Sequence, residues 1–428
     1  MLTVIVRSKR DADALRNMIK NYRSDWGIEV ETLKGKRGTD VIDAVKELVS
    51  DNKFYLVLLG REEADVIKEL SDSTPPNVIV HGIRKKRIRN TRLSELNWEL
   101  EVAKSQPRLW IEWSGDTPFI AKKYVRGEPG TDVFLGWGLW WKTLGLGEPS
   151  HKGFLVKKSA DGVHTVIAGG RAVALTEITD NRIPQTVLLG EVRGFELKEF
   201  ANLSRNVIRS FVRGTAKLFE GCEKAIVPWS GGKDSTAALL IAKEYCDEVE
   251  AIYVDTGVDM GLNKYYIEKI ANEMNVNYEV VRAPVKENIM ELGFPSRDNR
   301  WCTGLKIKAL EDAIKRRGKV KVVVGDRDAE SISRSRRWFE REWEGVAEVL
   351  APLKLWSGAM VLAYLLSENV LPNPLYALGF YRLGCYVCPF LRAYERKLLR
   401  EVRAAKIGAD EDLLNQFLGR HEGYDLGM

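Results

Sequence analysis

A glycine-containing turn between an apolar strand and a helix constrains this chain more than any other feature. Residues 225–229 are apolar, as in a short buried strand, and residues 237–245 have helical character. The segment between them begins Ser230-Gly231-Gly232-Lys233-Asp234-Ser235. Adjacent glycines let the backbone approach an anion closely, while the first N–H groups of the helix and the positive end of its dipole face that anion. The turn therefore predicts a site for nucleotide phosphates.

The polar side chains of this turn suit the same ligand. Ser230 and Ser235 can donate hydrogen bonds to phosphate oxygens, and Lys233 can neutralise phosphate charge. The spacing differs from the Gly-x-x-x-x-Gly-Lys-Ser/Thr pattern of P-loop NTPases. An ordinary glycine turn ahead of a helix is the simpler alternative, but it does not account for the whole hexapeptide in this position.

Further motifs follow the turn along the chain. Asp255-Thr256-Gly257 ends a second apolar strand, and residues 325–334 follow a third. The other motifs are Arg300-Trp301-Cys302-Thr303-Gly304-Leu305-Lys306, residues 352–356, Asn373-Pro374-Leu375-Tyr376 and residues 382–389. Together they resemble the PP-loop ATP pyrophosphatase superfamily, and in particular the branch containing phosphoadenylylsulfate (PAPS) reductases and related sulfurtransferases. The resemblance covers residues 225–395.

This resemblance implies an α/β fold for residues 198–428, with a doubly wound parallel sheet of the adenine nucleotide alpha hydrolase type. In such a sheet the loops at the carboxyl ends of the strands converge on one crevice. ATP with Mg²⁺ is the implied ligand. The implied nucleotide-binding residues are Ser230, Gly231, Gly232, Lys233, Asp234, Ser235, Asp255, Thr256, Gly257, Lys306, Arg327 and Arg334. The implied catalytic residues are Lys233, Asp234, Cys302 and Arg327. For Lys306, Arg327 or Arg334 taken singly, a surface salt bridge is the alternative.

The cysteines suggest a metal or thiol centre. Cys385 and Cys388 form a Cys-x-x-Cys pair, and Cys302 lies in a motif expected at the same pocket. Three thiolates can hold a [4Fe–4S] cluster with one open iron, or Zn²⁺ with a fourth ligand. A redox pair, a persulfide carrier and inert buried thiols are the remaining alternatives. Cys222 and Cys246 are expected in the core, and five cysteines in so long a chain make a poor disulfide framework.

The C-terminal tail argues against the best-known activity of the family. PAPS reductases use a nucleophilic cysteine near the C-terminus, yet no cysteine follows Cys388, and residues 419–428 contain none. Sulfonucleotide reduction by the usual route is therefore not expected, whereas adenylyl sulfate formation stays open.

Two other regions precede this one. Residues 1–107 alternate strands and helices, which predicts a small α/β domain with a largely parallel sheet. Residues 108–197 are rich in short alternating runs and turns, which predicts a β-rich domain, and residues 164–177 resemble a strand pair of PUA-type RNA-binding barrels. The clustered Trp137, Trp140 and Trp141 fit a core better than a base-stacking platform.

A basic strip lies at the end of the first region. It consists of Arg84, Lys85, Lys86, Arg87, Arg89 and Arg92. A solvated linker and a contact strip for an RNA backbone are the competing interpretations.

Composition limits the setting. A net charge of +6 over 428 residues is mild, and only three glutamines occur, as in some thermophilic proteins. No signal peptide or long apolar run is visible, so no membrane association is expected and a cytoplasmic location is the default.

The favoured function is ATP-dependent adenylation with sulfur transfer onto RNA such as tRNA, yielding AMP and pyrophosphate. The sulfur donor would be a protein or small-molecule sulfide. The alternatives are a small-molecule nucleotidyltransferase and a non-catalytic RNA-associated protein; the oligomeric state is open.

Overall fold

The computed structural model describes residues 1–402 and 404–421. Residues 422–428, which form most of the cysteine-free tail, lie outside the described residues. The described chain is mixed α/β, built on parallel sheets at each end and an antiparallel sheet between them. The predicted fold class is confirmed in these terms.

The first parallel sheet has the strand order β2-β1-β3-β4. Its strands are β1 (Leu2–Val6), β2 (Glu29–Thr32), β3 (Phe54–Leu59) and β4 (Val78–Gly82). Its helices are α1 (Lys9–Tyr22), α2 (Asp40–Leu48) and α3 (Ala64–Ser73). The central strand β3 is apolar and buried throughout, because helices cover both faces of a parallel sheet, whereas the edge strand β2 is partly exposed.

A helix and a hairpin lead into the antiparallel sheet. They are α4 (Leu93–Ser105), β5 (Ile111–Ser114) and β6 (Thr117–Ile120). The antiparallel sheet comprises β7 (Asp132–Gly138), β8 (Ser150–Lys158), β9 (Val163–Ala168), β10 (Arg171–Glu177) and β11 (Gln185–Leu188), with the short helix α5 (Trp140–Thr143) after β7. Its strand order is β11-β10-β9-β8-β7, so the first and last strands form opposite edges. The β-rich prediction holds, but a PUA-like barrel is not confirmed.

Helix α6 (Leu197–Arg213) opens the C-terminal region. The strand order of its sheet is β14-β13-β12-β15-β17-β16, parallel except at β16. The strands are β12 (Lys224–Pro228), β13 (Glu248–Asp255), β14 (Asn277–Arg282), β15 (Lys321–Val323), β16 (Glu340–Trp343) and β17 (Ala347–Leu350). The helices are α7 (Lys233–Tyr245), α8 (Gly261–Met274), α9 (Val285–Leu292), α10 (Trp301–Lys315), α11 (Ile332–Ser335), α12 (Gly358–Ser367), α13 (Pro374–Ala377), α14 (Ala393–Glu401), α15 (Ala404–Ile407) and α16 (Glu411–Gly419).

The hydrophobic core runs through all three regions. Trp26 stacks on Trp338 with ring centroids 4.6 Å apart, and its indole N–H donates to the carbonyl of Arg336 at 3.1 Å. Phe54 of β3 packs edge-on against Phe211 of α6 at 5.2 Å. The domain boundaries at residues 107 and 197 therefore stay predictions, because packing does not separate the regions.

The prediction for Cys222 and Cys246 is wrong in one respect. Both side chains are buried, as expected of core residues, but they form a disulfide with Cα atoms 4.9 Å apart. Cys222 precedes β12 and Cys246 follows α7, and the return of the helix along the strand brings them together. None of the helices in the described ranges combines the length and apolar composition that a membrane crossing requires.

Replacing Trp26 tests whether the first and last regions share one core. We expect Trp26→Ala to lower the free energy of unfolding by about 3–5 kcal/mol, because the ring is buried and stacked. Urea unfolding followed by circular dichroism measures this. The control Trp98→Ala removes a ring that is 55% exposed and should cost about 0.5 kcal/mol. Equal effects of the two substitutions would contradict a shared core.

Candidate nucleotide-binding site

The predicted phosphate-binding turn connects β12 to α7. Gly232 caps the helix without a side-chain hydrogen bond, and Gly231 has a φ of +73°, which favours glycine. A Cβ atom at Gly231 would lie 2.4 Å from Oδ1 of Asn263. The first N–H groups of an α-helix have no acceptor within the helix, so this end of α7 is suited to an anion.

Two asparagines hold the carbonyl groups of the turn. Asn263 donates from Nδ2 to the carbonyl of Ser230 at 3.0 Å. Asn373 donates to the carbonyl of Gly231 at 3.2 Å and to Oδ1 of Asn263 at 2.8 Å. The hydroxyl of Tyr376 accepts from the N–H of Lys233 at 2.9 Å. The backbone of the turn is thus fixed by α8 and by the segment around α13.

A chain of ion pairs lies beneath the turn. Nζ of Lys233 lies 2.6 Å from Asp234, whose other oxygen lies 2.6 Å from Nε of Arg327. Nη1 of Arg327 lies 2.9 Å from Asp132 in β7, and that carboxylate also accepts from the N–H of Gly358 at 2.8 Å. Burial alone would raise the pKa of Asp234. The opposing effect of Arg327 and Lys233 is larger, and the pKa falls to about 2. Asp234 therefore stays ionised at any physiological pH.

The turn opens into a cavity of about 230 Å³. The predicted residues that line it are Ser230, Gly232, Lys233, Asp234, Ser235, Arg327 and Arg334, joined by Arg382 and Tyr381. Its walls therefore carry several cations that suit phosphate groups.

The carboxylates of the cavity do not offer a ready Mg²⁺ site. Asp234, Asp326 and Glu330 line the cavity, and each is already ion-paired with arginine or lysine. Magnesium is usually bound by one or two carboxylates together with substrate phosphates. The lining of the cavity therefore does not show a Mg²⁺ site, and Mg²⁺ stays a prediction.

Other predicted residues lie beside the cavity rather than in its lining. Asp255 pairs with Lys264 at 2.8 Å and accepts from the N–H of Gly257 at 2.9 Å. The hydroxyl of Thr256 donates to Asp259 at 2.7 Å and lies 3.5 Å from Sγ of Cys385. These residues connect the end of β13 with the cysteine motif.

The three predicted cysteines converge on Lys306. Its Nζ lies 3.1 Å from Sγ of Cys385, and it interacts electrostatically with Cys302 and Cys388. Burial is the largest influence on Cys385, and with Asp259 it raises the pKa of the thiol to about 11 against the opposing effect of Lys306. Burial also raises the pKa of Cys388. Both are neutral thiols at neutral pH.

The predicted metal site does not fit this arrangement. Within residues 1–402 and 404–421, no group of three or more His, Cys, Asp or Glu is placed to hold a metal ion. The cation beside Cys385 is the Lys306 ammonium, whose Nζ lies 3.1 Å from Sγ. The described residues therefore give no support to the cluster and zinc interpretations of Cys302, Cys385 and Cys388, and the thiol interpretations stay predictions.

The basic strip is divided by its ion pairs. Arg87 pairs with Glu62 at 2.9 Å and Arg89 with Asp11 at 3.5 Å, so these side chains bind the protein itself. Arg84, Lys85, Lys86 and Arg92 are exposed. None of the strip lines the 230 Å³ cavity.

Sequence reasoning missed several residues that build the site. Asp132 lies 195 positions before Arg327, in a different sheet, and no pattern in the sequence marks it. Asn263 and Asp259 follow the Asp255-Thr256-Gly257 motif, where polar residues near a predicted strand end are a usable signal. Tyr376 stands in a motif that matches the family, but its contact with Lys233 needs the three-dimensional structure.

Comparison with protein families identifies the C-terminal region. Residues 224–391 match the phosphoadenosine phosphosulfate reductase domain, so this part of the chain contains such a domain, as the motifs predict.

Two uncharacterized proteins of Methanocaldococcus jannaschii are similar to this chain. One is 28% identical over 257 residues, covering 57% of this chain and 61% of the relative. The other is 29% identical over 230 residues, covering 51% and 47%. The chain thus spans about half to three fifths of the length of these relatives.

Among solved structures, two similarities are of low score. The PAPS reductase of Candida auris in its phosphate complex has 19% identity and a TM-score of 0.35, covering 44% of this chain and 97% of that one. The FMN adenylyltransferase of Candida glabrata with FMN and AMPCPP has 18% identity and a TM-score of 0.31, covering 42% and 61%.

The contribution of Asp132 can be measured with a near-isosteric change. We expect Asp132→Asn to lower the free energy of unfolding by about 3 kcal/mol, because Arg327 loses one of its buried partners. ATP binding measured by calorimetry should also weaken, since Arg327 lines the cavity. The control Asp116→Asn alters an exposed ion pair 3.6 Å long and should change neither quantity. Unchanged stability of Asp132→Asn would contradict this account of the ion-pair chain.

Metal content distinguishes the thiol and cluster interpretations. We expect protein purified without oxygen to contain neither iron nor zinc in stoichiometric amount, since the cysteines and Lys306 do not form a metal site. Elemental analysis by mass spectrometry and an absorption spectrum measure this. Stoichiometric iron that is lost in Cys385→Ser would contradict the prediction.

Proposed function

We propose that this chain is an ATP-dependent adenylating enzyme that transfers sulfur onto an RNA acceptor such as tRNA, with AMP and pyrophosphate as products. One observation carries the proposal: the phosphate-binding turn follows one strand of a parallel sheet, and the residue that follows the neighbouring strand contacts Cys385. The turn follows β12, and Thr256, which contacts Cys385, follows β13. Leu383 lines the cavity two positions before Cys385, which limits their Cα separation to about 7 Å.

The first step is adenylation. A carbonyl oxygen of the acceptor base attacks the α-phosphorus of ATP, the bond to the β-phosphate oxygen breaks, and pyrophosphate leaves. Charge that develops on the phosphate oxygens is stabilised by the N–H groups at the start of α7 and by Lys233 and Arg334. Arg327 is held in place by Asp132 and Asp234, so it costs no reorganisation at the moment of reaction.

The second step replaces oxygen by sulfur. A hydrosulfide ion attacks the adenylated carbon, AMP leaves with the original oxygen, and the S–H proton is lost as the carbon–sulfur double bond forms. A donor protein's persulfide would supply this sulfide after a second thiol of the donor attacks the persulfide and forms a disulfide with it. Because Cys385 is a neutral thiol at neutral pH, we assign the attack to the delivered sulfur rather than to Cys385. The Lys306 ammonium, 3.1 Å from Sγ of Cys385, would stabilise an anionic sulfur at this point.

The RNA acceptor is supported by the exposed part of the basic strip. Arg84, Lys85 and Lys86 are exposed on the same chain as the adenylation site. Lysine and arginine that contact phosphates supply most of the affinity of non-specific RNA binding.

Release of pyrophosphate from ATP, with and without total tRNA, tests the proposal. We expect Lys233→Ala to reduce RNA-dependent release about a hundredfold, because a cation near the phosphates is lost. The control Lys243→Ala lies on the same helix, is exposed and is not in the cavity lining, so it should retain activity. Lys306→Ala should still release pyrophosphate but form less thiolated RNA, because the ammonium that would stabilise the anionic sulfur is lost. A gel containing an organomercury reagent detects the thiolated RNA.

The outcomes separate the rival functions. Pyrophosphate release that needs sulfate or a flavin mononucleotide and is independent of RNA would identify a small-molecule nucleotidyltransferase. RNA binding without pyrophosphate release under any condition, unaffected by Lys233→Ala, would identify a non-catalytic protein. Either result overturns the proposal.

A further inference from the structure

A second cavity, in the N-terminal region, has no part in the site described above. Its volume is about 710 Å³, and it lies between the residues around Arg61, the loop that follows β4 and the first half of α4. We call it the α4 cleft. Arg61, Arg84, Lys85, Lys86 and Arg126 line it, together with the carboxylates Glu95 and Glu99.

The loops that form the cleft are held firmly. The N–H of Arg61 donates to the carbonyl of Lys85 at 2.9 Å. A Cβ atom at Gly60 would lie 2.2 Å from the carbonyl oxygen of Lys86, so glycine is needed for this close approach. Glu99 is buried and contacts His81 at 2.7 Å and Arg126 at 3.1 Å. The cleft is therefore a built feature and not a gap between mobile loops.

The charges of the cleft leave cations free for a ligand. Glu99 is satisfied by His81 and Arg126. Glu95 lies 3.9 Å from Lys85, and its buried Oε2 accepts no hydrogen bond from the residues that the structure describes. Within the described ranges, the side chains of Arg61, Arg84 and Lys86 have no ion-pair or hydrogen-bond partner. An anionic ligand would supply partners for these three groups without breaking an existing pair.

An exposed aromatic ring completes the cleft. Trp98 lines it from α4, and 55% of its surface is exposed, although tryptophan is normally well buried. Its ring stacks on no other aromatic side chain among the residues that the structure describes. A tryptophan beside unpaired cations suits a base that stacks on the ring while its phosphates contact arginine and lysine.

We propose that the α4 cleft binds an unpaired segment of RNA, with a base stacked on Trp98 and its phosphates on Arg61, Arg84 and Lys86. An unpaired segment is required, because a base within a duplex does not present its face. The hydroxyl groups of Thr91 and Ser94 also line the cleft and offer hydrogen-bond partners for ribose 2′-OH groups. The inference adds an anchoring site to the RNA acceptor of the proposed function, and its test does not require catalysis.

Helix α4 connects this cleft with the cavity at the phosphate-binding turn. Lys104, near the C-terminal end of α4, lies 3.1 Å from Asp328, the residue after Arg327. The six positions from Trp98 to Lys104 correspond to about 9 Å along a helix axis. RNA bound in the cleft would thus lie on the element that contacts the neighbour of Arg327.

Fluorescence anisotropy with a labelled single-stranded RNA of about 12 nucleotides, without ATP, tests the inference. We expect Trp98→Ala to weaken binding about tenfold and Trp98→Phe to weaken it little, because stacking needs an aromatic face. The control Tyr22→Ala removes another exposed aromatic ring of the same region and should have no effect. Unchanged affinity in Trp98→Ala would overturn the inference.

The charge contribution is tested by a triple variant. Arg61→Ala, Arg84→Ala and Lys86→Ala together should reduce the slope of log affinity against log salt by about 2. The matched triple Lys46→Ala, Arg171→Ala and Lys198→Ala removes the same charge from exposed positions elsewhere and should leave the slope unchanged. Equal losses in both triples would mean that net charge alone binds the RNA, which contradicts a cleft site.

Competitors identify the ligand class. Unlabelled single strand should displace the probe, whereas the same strand in a duplex, poly-glutamate and AMP should displace it poorly. Displacement by poly-glutamate at equal charge would indicate an acidic protein partner, and displacement by AMP a free nucleotide; either overturns the assignment to RNA. These results do not depend on pyrophosphate release, so the cleft can fail while the proposed function stands, and the reverse.

Discussion

The buried guanidinium of Arg327 is the group on which the arrangement of the site depends. It is 2% exposed and lies between Asp234, beside the phosphate-binding turn, and Asp132, in the antiparallel sheet. A buried charge is tolerated only when its partners are close and hydrogen-bonded, so these two carboxylates fix both its position and each other's. With Lys233 the set is electrically balanced. The turn therefore depends on a strand from another region of the chain.

Apolar contacts also join the first and last regions of the chain. The stack of Trp26 on Trp338 and the contact of Phe54 with Phe211 bury apolar surface from the first and last regions together. This shared core limits how far Asp132, Arg327 and Asp234 can move relative to one another. In the proposed reaction, a rigid support of this kind would hold Arg327 in position before ATP binds.

Much of the fold follows from local patterns in the sequence. The alternation of strands and helices in residues 1–107 and the turn at Ser230–Ser235 are short-range features, and each predicts its element directly. The partnership of Asp132 with Arg327 could not be predicted, because the two residues are 195 positions apart and no local pattern marks an aspartate at the start of a strand. The spacing of the cysteines likewise predicts that three thiols can meet, but it does not predict that the ammonium of Lys306 lies beside Cys385. The sequence does not distinguish the six cations of the basic strip from one another. In the structure, Arg87 forms an ion pair with Glu62 and Arg89 forms one with Asp11.

Helix α4 links the α4 cleft to the neighbourhood of Arg327. One end of α4 borders the α4 cleft, and near the other end Lys104 forms an ion pair with Asp328, the residue next to Arg327. Because a straight helix hardly changes length, α4 keeps a fixed distance between the α4 cleft and Asp328. If a strand is gripped at Trp98, only nucleotides at a set offset along it can reach the phosphate-binding turn. In the proposed function, the modified position would then be set by its distance along the strand from the base on Trp98, and not by the identity of the base at the phosphate-binding turn.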